Sequence, residues 1–323
     1  MSKNITHGFH LVKGKSHHDM EDYVVAEFKE IDDNELGLFA IFDGHLSHII
    51  PDYLRSHLFD NILKEPNFWT EPENAMRRAY RITDTKILEK GGDLGKGGST
   101  AVTAVLINCQ KLVVANVGDS RVVICKNGVA IQLSVDHEPS TEREDIENRG
   151  GFVLTFPGDV PRVDGQLAVA RAFGDKNLKE HLSSEPDVAM EMIDDETDCI
   201  ILASDGLWKV MSNQEAVDTI KNIQRCADSS PCTCLIRNSE RGTITPGAVK
   251  VTSSGFIFLL QENDLDLLGG PVPITMLFEW FDEPYLLCQR CPAEGGVCPS
   301  SVSMVFAVNQ GMPSVARWVH LIA

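Results

Sequence analysis

The sequence predicts an α+β fold, and two observations carry that expectation. Apolar runs follow one another as hairpins: Ser99–Ile107 turns through Asn108–Gln110 into Lys111–Val117, and Arg121–Cys125 turns through Asn127-Gly128 into Val129–Gln132. Asn-Gly is the residue pair that a tight two-residue hairpin favours, so neighbouring strands should pair antiparallel. The helical stretches stand apart from these strands instead of alternating with them, which argues against a parallel α/β sheet.

In chain order, Tyr23–Ala26 and Glu35–Phe42 read as strands. A long helical region runs from Glu73 to Lys90, and the glycine-rich segment Gly91–Gly98 is expected to be a flexible loop. The two hairpins follow. Thr141-Glu-Arg-Glu144 has the form of a capping box, with Gly150-Gly151 closing the helix it opens. A further apolar run ends at Ala203-Ser204-Asp205-Gly206. Ser212-Asn-Gln-Glu215 is a second capping box, opening a helix to about Arg225.

The texture changes after Arg225: eight of the 15 prolines and six of the nine cysteines lie beyond it, with Lys250 the sole lysine. We therefore expect two regions, 1–225 and 226–323.

At 323 residues the chain suffices for one large domain or two ordinary ones. A net charge of −18 argues against the phosphate backbone of nucleic acids as a partner. The polar start Met1-Ser-Lys-Asn-Ile-Thr-His7 does not read as a signal peptide, and Gly255–Leu260 is too short an apolar run to span a membrane. Cys109, Cys125 and Cys199 sit in strand-like runs and read as reduced core thiols, which fits a cytoplasmic or nuclear protein.

Chemistry concentrates where apolar runs end in Asp-Gly. Phe39-Ala-Ile-Phe-Asp43-Gly44-His45 and Ile200-Ile-Leu-Ala-Ser-Asp205-Gly206 each deliver one carboxylate to the end of a buried strand. Glu21-Asp22 and Val117-Gly118-Asp119-Ser120-Arg121 add further acids at a strand start and a tight turn. A single such Asp is usually a solvated turn residue. Four acidic clusters of this kind are the oxygen-donor set of a hard divalent cation.

Several segments, in this order and at this spacing, resemble the type 2C metal-dependent protein serine/threonine phosphatases, in wording close to plant members. They are Gly14–Asp22, Phe39–His45, Gly98–Ala101, Ala115–Arg121, Asp136–Pro139, Ala168–Asp175 and Ala203–Trp208. The resemblance covers residues 5–225 or so. It implies a β-sandwich of two antiparallel sheets flanked by helices, with two Mg2+ or Mn2+ ions at one end. It implies that Asp43 bridges the ions, that the Gly44 carbonyl ligates one and that Asp205 ligates the other. Glu21 and Asp22 would act through water, and Asp119 with Asp205 would form a third, weaker position. His45 would be the general acid, and Lys15 would take the place of the family's phosphate-gripping arginine. The implied activity is hydrolysis of phosphoserine and phosphothreonine by a water activated between the ions, on phosphoprotein partners, by a monomer with no nucleic-acid or membrane partner. Arg171 reads as structural and Trp208 as packing behind Asp205.

Two departures stand against this. Ser47 occupies a position where the family usually has Gly beside the metals. The closing strand that should open with an acidic pair is not evident: its nearest counterpart, Ser300–Val308, carries serines there, while Asp264 and Asp266 follow an apolar run instead of preceding one. Residues 226–323 thus admit three readings: a replaced C-terminus, a divergent extension that completes the sandwich, or a zinc knuckle from Cys232, Cys234, Cys288, Cys291 and Cys298. A catalytically impaired, partner-binding variant is the alternative to an active enzyme.

Overall fold

A computed structural model describes residues 5–12, 20–94, 96–229 and 255–261, with short strands at 287–288, 303–305, 308–309, 312–313 and 317–319. The chain forms two compact units, Met1–Val217 with Ser254–Val272, and Asp218–Ser253 with Pro273–Ala323.

The first unit begins with β1 (Thr6–Val12), β2 (Asp22–Ile31) and β3 (Asn34–His45), then α1 (Ile49–Leu63) and α2 (Pro72–Leu94). There follow β4 (Gly98–Ser99), β5 (Ala101–Ile107), β6 (Lys111–Val117), β7 (Arg121–Lys126), β8 (Val129–Gln132) and α3 (Arg143–Asn148). Next come β9 (Val153–Thr155), β10 (Pro161–Val163), β11 (Phe173–Gly174), β12 (Asp187–Met192), β13 (Thr197–Ala203) and α4 (Asp205–Trp208). Helix α5 (Asn213–Ser229), of which only the residues up to Val217 belong to this unit, and strand β14 (Gly255–Gln261) complete this set.

The α+β class is as expected, with two main sheets. One has seven strands in the order β11-β4-β3-β5-β6-β12, with β2 on β3; the other has five, β1-β14-β13-β7-β8. They meet through a core in which Phe39, Ile41, Val102, Ala104 and Val114 of the first contact Val122, Ile124, Ile200 and Leu202 of the second. The opposite face of the seven-stranded sheet is covered by α1 and α2, where Leu54, Leu58, Ile62, Met76 and Tyr80 join Leu36, Leu38, Ala40 and Phe42. Alternate residues of β3 thus serve two cores, as the period-two geometry of a strand requires. Burying both faces explains why its sequence is a continuous apolar run.

Several expectations need correction. The seven-stranded sheet is antiparallel throughout, but β14 runs parallel to both β1 and β13. Ser300–Val308 was the nearest counterpart of the closing strand; the structure inserts Gly255–Gln261 instead, and Ser303–Val305 pairs with Leu287–Cys288 and Arg317–Val319 in the other unit. The Ser99–Ile107 run is split at Thr100 into β4 and β5. Helix α2 continues through Gly91 and Gly92 to Leu94, where a loop was expected. Helix α1 was not anticipated, although Ile50, Leu54, Leu58 and Ile62 bury one helical stripe at four-residue spacing, and Pro51 lies in the first turn where proline is tolerated.

The two capping boxes fare differently. At Ser212 the box forms: the Glu215 amide donates to Ser212 Oγ (3.3 Å), and the Ser212 amide donates to Glu215 Oε2 (2.8 Å). At Thr141 it does not, because the hydroxyl donates back to the Glu138 carbonyl (2.9 Å) and α3 begins only at Arg143, with no side-chain cap.

Among the described residues no helix is long and apolar enough to cross a membrane.

Candidate metal centre

Strand ends from both sheets bring three carboxylates together. Asp43 lies near the end of β3, Asp119 in the turn between β6 and β7, and Asp205 at the first residue of α4, separated from β13 by Ser204 alone. One oxygen of each lies within 4.8 Å of those of the other two. Asp22, at the start of β2, is the register partner of Asp43 and is buried to 2% exposure. Glu21 precedes it and accepts the Gly44 amide on its carbonyl at 3.2 Å.

Local sequence explains these placements. Opposite Asp43, the break at Thr100 lets that amide donate to the Asp43 carbonyl (2.9 Å), and Ser99 Oγ donates to the same oxygen (3.2 Å). Asp119 follows Gly118, whose φ of +108° belongs to glycine and whose absent Cβ would meet Thr100 Cβ at 2.5 Å.

His137, fully buried, clamps the same turn. The Gly118 amide donates to its Nδ1 (3.0 Å), while the His137 amide donates to the Gly118 carbonyl (2.9 Å). Its Nε2 therefore carries the proton and donates to Asp187 Oδ2 (2.7 Å). Arg171 continues the chain to Glu142 (2.6 Å) and Asp187 (3.3 Å), which is the structural role expected of it.

The electrostatics are those of an acid cluster crowded out of water. Burial pushes Asp43 well above the usual carboxylate range, and the negative charges of Asp22, Asp205 and Asp119 add to the effect. Asp119 is raised to about 8, first by burial and then by Asp205. Lys209, one helical turn after Asp205, sets its ammonium 2.6 Å from Asp205 Oδ2. Burial alone would lower its pKa, but Asp205, Asp119 and Asp43 outweigh that and hold it above its ordinary value. Crowded carboxylates that resist ionising are a donor set suited to a hard dication.

His45 follows Gly44 at the end of β3, and its Nε2–H donates to Asp175 Oδ2 at 2.7 Å. Arg121 stiffens the surroundings: it pairs with Asp136 (2.5 Å), donates to Asn213 (2.6 Å) at the start of α5, and lies over the Trp208 ring at 5.1 Å. Trp208 was expected to pack behind Asp205; it is half-buried and donates its indole N–H to the Ala203 carbonyl (3.0 Å), holding the α4 turn. The concern over Ser47 is also misplaced. The positive φ falls on Leu46, at +62°, and Ser47 Oγ accepts the Ile49 amide (3.1 Å) as α1 begins.

Lys15 lies outside the described residues, as do His17 and His18, and the cysteines proposed for a zinc knuckle lie outside them apart from Cys288 in its short strand. Sequence reasoning missed Lys209, and it passed over Asp175 and His137 inside quoted motifs. A lysine four residues after a candidate ligand, on the same helical face, was the available signal for the first.

Residues 9–234 match the family model described as Protein phosphatase 2C. A relative from Arabidopsis thaliana, named probable protein phosphatase 2C 39, is 80% identical over 69% of this chain and 78% of its own. Among solved structures, a Caenorhabditis elegans sex-determining protein aligns with TM-score 0.58 and 27% identity, over 64% of this chain and 53% of that one. A serine-threonine phosphatase 2C from Toxoplasma gondii shares the fold at TM-score 0.55 and 23% identity, over 64% of this chain and 83% of its own.

Proposed function

Since this chain belongs to the protein phosphatase 2C family, whose members are metal-dependent serine/threonine phosphatases, we propose that it hydrolyses phosphoserine and phosphothreonine in proteins at the Asp43–Asp119–Asp205 cluster. The observation that carries this reading is the convergence of those three carboxylates within 4.8 Å. Two Mg2+ or Mn2+ ions would be held by Asp43, the Gly44 carbonyl and Asp205, with Glu21 and Asp22 acting through water and Asp119 at a third position. When bound, the ions supply Lewis acidity and neutralise the charge of a phosphate monoester.

The chain's own residues do the rest. The buried carboxylates hold the cations where an anionic substrate would otherwise be repelled. His45, 22% exposed at its side chain, is reachable by substrate and donates the proton that a serine or threonine alkoxide needs on leaving. Lys15 takes the phosphoryl oxygens as a point charge, without the bidentate grip of an arginine.

The test is phosphate release from a phosphothreonine peptide with Mn2+, with chelator, and in Asp43→Asn. Mn2+-dependent release lost in the variant supports the reading. Release that survives chelation and Asp43→Asn rejects it.

A second reading is a catalytically impaired, partner-binding variant. It is favoured by Lys209, whose ammonium lies 2.6 Å from Asp205 Oδ2 and competes with a cation for that carboxylate. Calorimetric titration of Mn2+ separates the two: two tight sites sink the impaired reading.

A further inference from the structure

We infer that Asp175 is the positioning residue for His45, fixing which ring nitrogen can pass a proton to the leaving group. The inference rests on the phosphatase reading for its catalytic consequence, but its geometry stands alone. His45 Nε2 and Asp175 Oδ2 are 2.7 Å apart, and the carboxylate is the buried member, with 5% side-chain exposure against 22% for the imidazole.

Three elements build this pair. Strand β4 lies between β3 and β11, so Gly98 is the register partner of His45 on one side and of Gly174 on the other. A Cβ on Gly98 would overlap the Asp175 carboxylate, so the bare glycine is what lets Asp175 reach across β4 to the histidine. Asp175 itself turns back with φ +47°, its amide donating to the Gly97 carbonyl (2.9 Å) and its carbonyl accepting from the Leu178 amide (2.8 Å). Behind the turn, buried Asp84 of α2 accepts the Gly174 amide (2.9 Å). Lys179 pairs with Asp84 (3.0 Å) and donates to the Ala172 carbonyl (2.8 Å). A left-handed residue, a forced glycine and a buried ion pair all serve to hold one carboxylate against one ring nitrogen.

The chemical consequence follows from the inventory of imidazole. With Nε2–H committed to Asp175, Nδ1 is the nitrogen left for exchange. As the P–O bond breaks, its electron pair stays on the serine or threonine oxygen, which takes the Nδ1 proton. The ring, protonated on both nitrogens before this step, is left neutral with Nε2–H on Asp175, and its Nδ1 regains a proton from solvent, which takes up the one that the attacking water sheds. An orienting carboxylate of this kind acts through tautomer and ring angle without contacting substrate.

The experiment compares wild type, Asp175→Asn, His45→Gln and the double variant, all with Mn2+. Asparagine is nearly isosteric and tolerates the left-handed backbone, so the fold is kept. Two substrates are used: a phosphothreonine peptide, whose alkoxide needs a proton, and p-nitrophenyl phosphate, whose phenolate does not. We expect Asp175→Asn to lower kcat on the peptide by about 10- to 100-fold at unchanged KM. Turnover of p-nitrophenyl phosphate should change less than about threefold, and Asp175→Asn should add no further loss in the His45→Gln background, as expected of residues acting as a unit. Equal losses on both substrates, or losses that multiply in the double variant, overturn the inference.

Ring-nitrogen NMR of 15N-histidine protein gives a readout independent of turnover. In its neutral form the His45 ring should show the Nε2–H tautomer in wild type and lose that preference in Asp175→Asn; an Nδ1–H tautomer in wild type overturns the inference. Wild type inactive on both substrates would instead reject the phosphatase reading, and with it the catalytic consequence, while the NMR result still decides the pairing.

Discussion

Lys209 places its ammonium 2.6 Å from Asp205 Oδ2, so its positive charge competes with a cation for that carboxylate. Lys209→Met should therefore tighten Mn2+ binding while leaving the metal-free protein less stable, since three carboxylates lose their tethered counter-charge. The lysine is 44% exposed at its side chain, so water screens much of this. Melting of the metal-free form should fall by about 2–4 °C, as for roughly 1 kcal/mol in a domain of this size, and the stabilisation by added Mn2+ should grow. A metal-free variant that melts higher than wild type would contradict this.

Asp119→Asn should act in the opposite direction on the metal-free fold. Burial, then Asp205, push Asp119 up to about 8, so folding at pH 7 must protonate a carboxylate that the unfolded chain keeps ionised, and asparagine removes that cost. The expected outcome is a rise in melting temperature of about 2–4 °C, together with weaker Mn2+ binding by titration. Stability would be gained where function is lost.

The same raised carboxylate should make metal uptake a proton-releasing event. Asp119 holds a proton at pH 7 because its pKa is about 8, and a dication must displace it. Calorimetry in buffers of differing ionisation enthalpy should show protons released at pH 7 and fewer above pH 8. Buffer-independent heats at pH 7 would rule this out.

Stability should also fall on acidification through His137. Burial, then the neighbouring Arg171, hold its pKa below the ordinary value near 6.5, with Asp187 opposing. The unfolded chain therefore binds the proton more readily than the folded one. The stabilisation is complete above about pH 6.5 and is lost as pH drops from there toward the folded-state pKa. Protonation of Nδ1 would also break the bond from the Gly118 amide. Urea midpoints between pH 8 and 5 should show this slope in wild type and a shallower one in His137→Gln; parallel slopes would exclude His137 as its source.

Ser212→Ala should cost about 1 kcal/mol in urea unfolding, because the hydroxyl caps α5. Thr141→Ala should cost less, since that hydroxyl caps nothing.

What the sequence reveals here follows the range of the interaction. Asp43 and Asp205 were legible because a buried strand ending in Asp-Gly announces itself within a few residues, and the Ser212 box was legible for the same reason. The meeting of His45 with Asp175 was not, because it depends on β4 lying between β3 and β11, a register no local pattern encodes. Gly255–Leu260 was visible as an apolar run, yet its place beside β13 depends on strands far away in sequence. The Thr141 box failed because its residues also suit a turn, and the turn won.

Strand β14 pairs residue 255 with residue 6 and with residue 199 at once. During synthesis, the first strand must therefore wait for almost the whole domain to leave the ribosome before its neighbour exists. Until then β1 and β13 each present an unpaired edge, which is the kind of surface that recruits chaperones or other strands. A nascent chain stalled before residue 255 would carry all three clustered aspartates and no completed sheet to hold the last of them.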